Sequence, residues 1–303
     1  MNIVSKVCLA FAFGSMAVVP AFADDAPAAP AAPASDFTVT GGATLTSDYR
    51  FRGISQTDKR FAIQGTLGVV HSSGFYIGTW GSSIDDYVAN GSDQEIDLYG
   101  GYKHTFSGTT VDGGLLYYYY PGSHGANTDF FEPYLNASHS FGPLGVKLGL
   151  NYAWNQHAQS CAYDPRCAGK PREDSLYTYG ELSVAVPKTP VTVTGHLGES
   201  WGRSYLTNGL KNYTDWSLTA AYTWKALTFS AAYVDTDIKK SEFVIPSGRN
   251  PVKGGFVGAV AVTAFFGLLF HGAQLGERRQ VGVLLRLPVP REGVAGVAEV
   301  ATD

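Results

Sequence analysis

The chain has 303 residues, of which 45% are hydrophobic, 13% aromatic and 16% charged, with 36 Gly, 15 Pro, 3 Cys and a formal net charge of -4. That is charge-poor beside the about 25% of an ordinary soluble domain, yet a mean hydropathy of -0.04 is too polar for a bundle of membrane helices. The 18 Tyr, 17 Phe and 5 Trp argue against disorder, three cysteines are too few for a disulfide scaffold, and mild acidity disfavours nucleic acid as a partner.

Residues 1–23 read as a secretory signal peptide. Lys6 is the basic start, Val7 to Val19 the short apolar core, and Ala21-Phe22-Ala23 a small-x-small cleavage site. The apolar run is too short for a membrane anchor, which needs about 20 residues. Residues 24–36 are dominated by alanine and proline and read as an extended linker.

From Phe37 the chain alternates with period two. Phe37, Val39, Ala43, Leu45, Tyr49 and Phe51 occupy odd positions, while Thr38, Thr40, Thr44, Thr46, Asp48, Arg50 and Arg52 occupy even ones. Successive strand side chains point to opposite faces, so this is a strand with one apolar and one polar face. About twelve such segments of roughly ten residues follow one another, starting near Phe37, Phe61, Phe75, Gln94, Thr110, Asp129, Leu144, Ser175, Pro190, Tyr213, Leu227 and Lys253.

A soluble sandwich or a lipocalin-like barrel would also alternate, but its polar face would carry many Lys and Glu. Here that face is Thr, Ser, Gly, Asn and Tyr. Aromatics also stand at strand ends, as with Trp216 and Trp224, or Tyr152 and Trp154, the placement of interface girdles. The connections decide further. They alternate long and tight along the chain, with tight turns at Ser72 to Gly74, Ser107 to Thr109, Gly142-Pro143, Pro187 to Thr189 and Lys225-Ala226. Short turns on one side and long loops on the other characterise outer-membrane barrels. The expected fold is therefore all-β: a transmembrane antiparallel up-and-down β-barrel of about 12 strands over residues 37–266. The closing strand runs through Phe256 to Phe266. Residues 267–303 lack the body's alternation and read as an atypical tail, either a non-native extension or a genuine periplasmic one; a membrane helix over Phe256 to Phe270 would be short.

Three stretches carry a family resemblance. The first runs from Ser47 through Asp48, Tyr49, Arg50, Phe51, Arg52, Gly53, Ile54, Ser55, Gln56 and Thr57 to Asp58. The others are Gly74 to Ser83 and Glu95 to Tyr102, in the expected order. The sequence from Phe37 to Phe266 resembles the TorF-like porin family of proteobacteria. The resemblance implies an outer-membrane barrel and a pore, with no established substrate and no catalytic residues. Its tail departs from the family pattern, which bears on how the barrel-insertion machinery would recognise the closing strand.

If the apolar face meets lipid, the inward face carries Arg50 and Arg52 near the external end. Glu95, Asp97, Glu132, Glu181 and Asp215 follow in the upper or middle barrel, and Lys103, Lys147 and Asp112 in the lower half. These are candidate pore-lining residues, selecting solutes by field and size as charged rings do. The alternative is a set of internal ion pairs that satisfy charges within the wall. Two of the rings Tyr117 to Tyr120 are expected to project inward. Cys161 and Cys167 lie in one long loop, in a chain addressed to an oxidising compartment, and read as a disulfide. His157 nearby does not complete a closed zinc site, and no metal or cofactor is expected. Enzyme signatures such as G-x-S-x-G or H-E-x-x-H are missing from the sequence. His104 and His139 would be the histidines of a lipid hydrolase, the less favoured reading. The expectation is a passive pore for small solutes, set in bacterial outer-membrane lipid. A surface-contact barrel without conductance is the alternative.

Overall fold

The computed structural model describes residues 36–269 and 282–286, apart from 161–173, 203, 205, 207–208, 210–211, 244 and 246. The signal, the linker up to residue 35, the Cys161–Cys167 pair and most of the tail lie outside the described residues.

The two-residue period becomes twelve long strands: β1 (Phe37–Thr46), β2 (Ala62–His71), β3 (Phe75–Ser83), β4 (Gln94–Phe106), β5 (Thr109–Tyr119), β6 (Phe130–Phe141), β7 (Leu144–Ala153), β8 (Ser175–Ala185), β9 (Val191–Trp201), β10 (Asn212–Trp224), β11 (Leu227–Thr236) and β12 (Gly255–Leu269). Each pairs antiparallel with the next, and β12 returns to β1 in the register Thr38↔Gly267 to Thr46↔Ala259. The sheet therefore closes on itself, which removes its free edges. Every strand begins within two residues of its expected start. A further strand, β13 (Gly282–Arg286), pairs with Phe265–Leu269 of β12.

Tight connections gather at one end. The link between β4 and β5 is Ser107-Gly108, both with positive φ (50° and 81°), the backbone of a type I′ hairpin whose twist matches the flanking strands. Long connections gather at the other end. There Ile54, Tyr213, Ile238, Phe243, Ile245 and Val252 form a small apolar core contributed largely by loops.

The faces follow the alternation. Leu148 is 62% exposed and Leu218 56% on the outside, with Leu67, Ile77, Leu98, Leu182 and Leu197 also outward. The neighbouring Thr194, Ser217 and Thr219 are buried toward the axis. A water-soluble core would place leucine inside, so this arrangement excludes a soluble sandwich. Trp224 ends β10, while Trp216 stands four residues inside it, because the strand begins at Asn212.

Inward tyrosines pack over inward glycines of adjacent strands. Gly78 lies opposite Tyr99, Gly101 opposite Tyr76, Gly114 opposite Tyr134 and Gly149 opposite Tyr179. A Cβ on Gly78 would come within 2.4 Å of the Tyr99 hydroxyl oxygen, and one on Gly149 within 2.4 Å of the Tyr179 ring. Glycine at these positions lets each ring lie flat along the wall instead of standing across the lumen.

Candidate functional site

The first long connection, residues 47–61, folds into the barrel. Arg50-Phe51 pairs with Ile54-Ser55 to make a two-residue hairpin, turned by Arg52 (φ 46°) and Gly53 (φ 80°). Its tip presses against the wall: a Cβ on Gly53 would lie 2.4 Å from Thr236 Cγ2 and 2.8 Å from Asp215 Cβ. Only glycine fits both that backbone and that contact.

Asp48 organises the hairpin. Its carboxylate accepts from Arg50 Nε at 2.6 Å, Ser55 Oγ at 2.5 Å and Thr57 Oγ1 at 3.1 Å. Arg50 Nη1 donates to the carbonyls of Gly53, Pro251 and Lys253 at 3.0, 3.0 and 3.2 Å, tying the hairpin to the last long loop. Tyr87 donates from another long loop to the Ser55 carbonyl. Arg50 is thus consumed by structure.

Arg52 reaches the wall. Its Nη2 lies 2.5 Å from Glu132 Oε1, and its guanidinium carbon sits 4.4 Å from the centre of the Tyr177 ring and 4.7 Å from that of Phe51. The other oxygen of Glu132 accepts from Tyr118 and Asn151, both at 3.1 Å. Tyr49 of the loop donates to Glu95 at 2.9 Å. Asp97 stands two residues along β4 on the same face, directly across from Tyr118. Asp97 is 1% exposed, and its Oδ1 has no hydrogen-bond partner among the described residues.

A second chain of charges crosses β7 to β10. Lys147 Nζ lies 3.9 Å from Glu181, which lies 3.2 Å from His196 Nδ1; His196 Nε2 lies 3.3 Å from Asp215. The Tyr177 hydroxyl donates to Asp215 at 3.0 Å. Toward the tight-turn end, Tyr76 donates to Asp112 at 2.5 Å and also meets the Tyr134 hydroxyl. Lys103 lies over the Tyr76 ring at 5.9 Å and Lys147 over the Tyr179 ring at 5.1 Å.

Glu95, Asp97, Lys103, Glu132, Lys147, Glu181 and Asp215 therefore stand on the inner wall. Arg50 and Arg52 reach the lumen by another route. The first strand stops at Thr46, and both arginines belong to the inserted loop. Tyr118 and Tyr120 are buried inward while Tyr119 faces out. Asp48, Tyr49, Tyr177 and His196 were missed. His196 shares the polar face with Thr192 and Thr194, so period two could have found it; the roles of Asp48 and Tyr49 depend on the loop's insertion and carry no local signal. His104 stacks with Tyr102 and Phe106, and His139 shares a 2.9 Å hydrogen bond with the Thr109 hydroxyl.

The fold is similar to that of several solved outer-membrane channels. The KdgM porin in complex with disordered oligogalacturonate matches at 10% identity and a TM-score of 0.45, over 75% of this chain and 97% of the porin. The COG4313 outer membrane channel from Pseudomonas putida F1 matches at 12% identity and a TM-score of 0.46, over 78% and 97%. The CymD monoaromatic hydrocarbon channel matches at 10% identity and a TM-score of 0.40, over 77% and 84%. A search of curated proteins returns no match. The sequence profile of Gcw_chp, described as a bacterial protein of unknown function, matches residues 30–264. The chain belongs to the Gcw_chp family.

Proposed function

We propose that this protein is a channel of the bacterial outer membrane that passes small solutes by passive diffusion, through a lumen restricted by its first external loop. One observation carries the reading: charged and hydroxylic side chains of many strands line the inside of the closed barrel, and the first external loop folds in among them. Eight strands leave a space that wall side chains can fill, whereas sixteen leave an aqueous channel. A twelve-stranded wall lies between, and here it is lined partly by flat tyrosines over glycines. The space that results is taken by the Arg50 to Ser55 hairpin, a removable part. The resemblance to TorF-like porins supports the same reading. The partners that go with it are outer-membrane lipid around the apolar belt, small solutes within, and the barrel-insertion machinery. Planar-bilayer recording of the purified protein tests it. Discrete conductance is expected, larger when residues 48–57 are replaced by a Gly-Ser linker. Absence of current from both proteins would overturn it.

A second reading, a surface-contact barrel with a closed lumen, is favoured by the nearly complete burial of Glu95, Asp97, Glu132 and Asp215 around the loop. Silence of the loop-replaced protein, with loss of cell or matrix binding on shortening the external loops, would support it.

A further inference from the structure

We infer, resting on the channel reading above, that the pocket filled by the Arg52 guanidinium is a binding site for a small organic cation of guanidinium or ammonium type, which the loop occupies as a tethered competitor. Charge placement comes first. In the outer half of the lumen the wall contributes Glu95, Asp97, Glu132 and Asp215, each nearly or wholly buried. The guanidinium facing Glu132 comes from the loop, while Arg50 is spent on Asp48 and three carbonyls. Asp215 faces His196 at 3.3 Å, but withdrawing the hairpin leaves Glu95, Asp97 and Glu132 with no basic side chain in ion-pair reach among the described residues, and a ring of carboxylates favours cations.

The pocket is also shaped for this chemistry. The Tyr177 face and the Glu132 carboxylate hold the guanidinium at 4.4 and 2.5 Å, a cation–π contact combined with a charge-assisted hydrogen bond. Tyr118 and Asn151 aim Glu132 from strands β5 and β7. All four are wall residues, so the cage does not depend on the loop for its construction. Arg52 leaves it incompletely used: among the described residues its own Nη1 is buried without a hydrogen-bond partner, and so is Asp97 Oδ1 on the same wall. An aromatic face on one side and a single carboxylate at the edge suit a flat or alkylated organic cation, which can use both contacts at once.

The test uses the full mature chain, with methylguanidinium as probe, in a potassium chloride gradient across a planar bilayer. Arg52→Ala is expected to conduct more than wild type, with a reversal potential moved toward that of potassium. Millimolar methylguanidinium is expected to reduce that current and to raise the unfolding temperature of Arg52→Ala in detergent. It should do neither in wild type, whose cage is occupied, nor in the double variant with Glu132→Gln. If Arg52→Ala does not fold, Arg52→Gln takes its place. Anion preference, or absence of both probe effects in the single variant, would overturn the cation site while leaving a conducting channel intact. Absence of current from wild type, Arg52→Ala and the loop-replaced protein would instead defeat the channel reading, and the unfolding measurement would still decide the cation site.

Discussion

Arg52 and Glu132, 80 positions apart in the chain, meet at 2.5 Å across the lumen, with side chains 5% and 0% exposed. Neither residue could be buried alone. An unpaired ion inside a protein costs several kcal/mol, and the pair offsets that cost only while both members are present. The contact therefore couples the position of a loop to the charge state of the wall.

Glu132→Ala is expected to unseat the loop. It strands the Arg52 guanidinium, a loss of about 3–5 kcal/mol for a broken buried pair, which withdrawal of the hairpin relieves. A cysteine replacing the buried Gln56, in a background with Cys161→Ser and Cys167→Ser, should resist a membrane-impermeant maleimide when Glu132 is intact and react when it is alanine. Equal labelling of the two would contradict the latch.

Leu148→Arg and Leu218→Arg should each lower folding stability in lipid vesicles by about 2–4 kcal/mol, the cost of a charge facing the middle of the bilayer. Both leucines sit mid-strand on the outer face. Urea titration of the vesicle-inserted protein measures this. An unchanged midpoint would mean that this surface faces water.

Gly149→Ala should destabilise by about 1–3 kcal/mol through overpacking, since its Cβ would meet the Tyr179 ring at 2.4 Å. Gly65→Ala is the control, because nothing lies within 4 Å of a Cβ there. The comparison is between unfolding midpoints, and equal midpoints would show that the ring moves aside freely.

Replacing both Lys103 and Lys147 by glutamine should shift the reversal potential further toward cations. Lys147 lies 3.9 Å from Glu181, and Lys103 stands directly across from Asp112 in the strand register. A shift toward anions, or no shift while current persists, would place the lysines away from the conducting path.

Strand positions were legible because a membrane barrel separates two environments with a wall one residue thick. Each residue must choose a side, and Leu148 beside Lys147, or Leu218 between Ser217 and Thr219, records that choice locally. Connection lengths were legible for the same reason, since only one end of the wall carries long loops. The exception is instructive: alternation continues past Thr46 through Arg50 and Arg52, although the strand does not. The apolar side of that stretch, Tyr49 and Phe51, packs on inward aromatics such as Trp80 and Tyr118 instead of meeting lipid. A two-faced hairpin inside a lumen and a two-faced strand in the wall therefore have the same local pattern.

Period-two patterning and turn spacing specify the closed twelve-stranded wall, its greasy exterior and the set of charges that face inward, because these depend on neighbours one or two residues apart. Which charge meets which, and whether the passage is filled, depends on contacts such as Arg52 with Glu132 or Tyr49 with Glu95. Those partners lie dozens of residues apart and come together only after the cylinder has closed, so the chain's local order holds no trace of them.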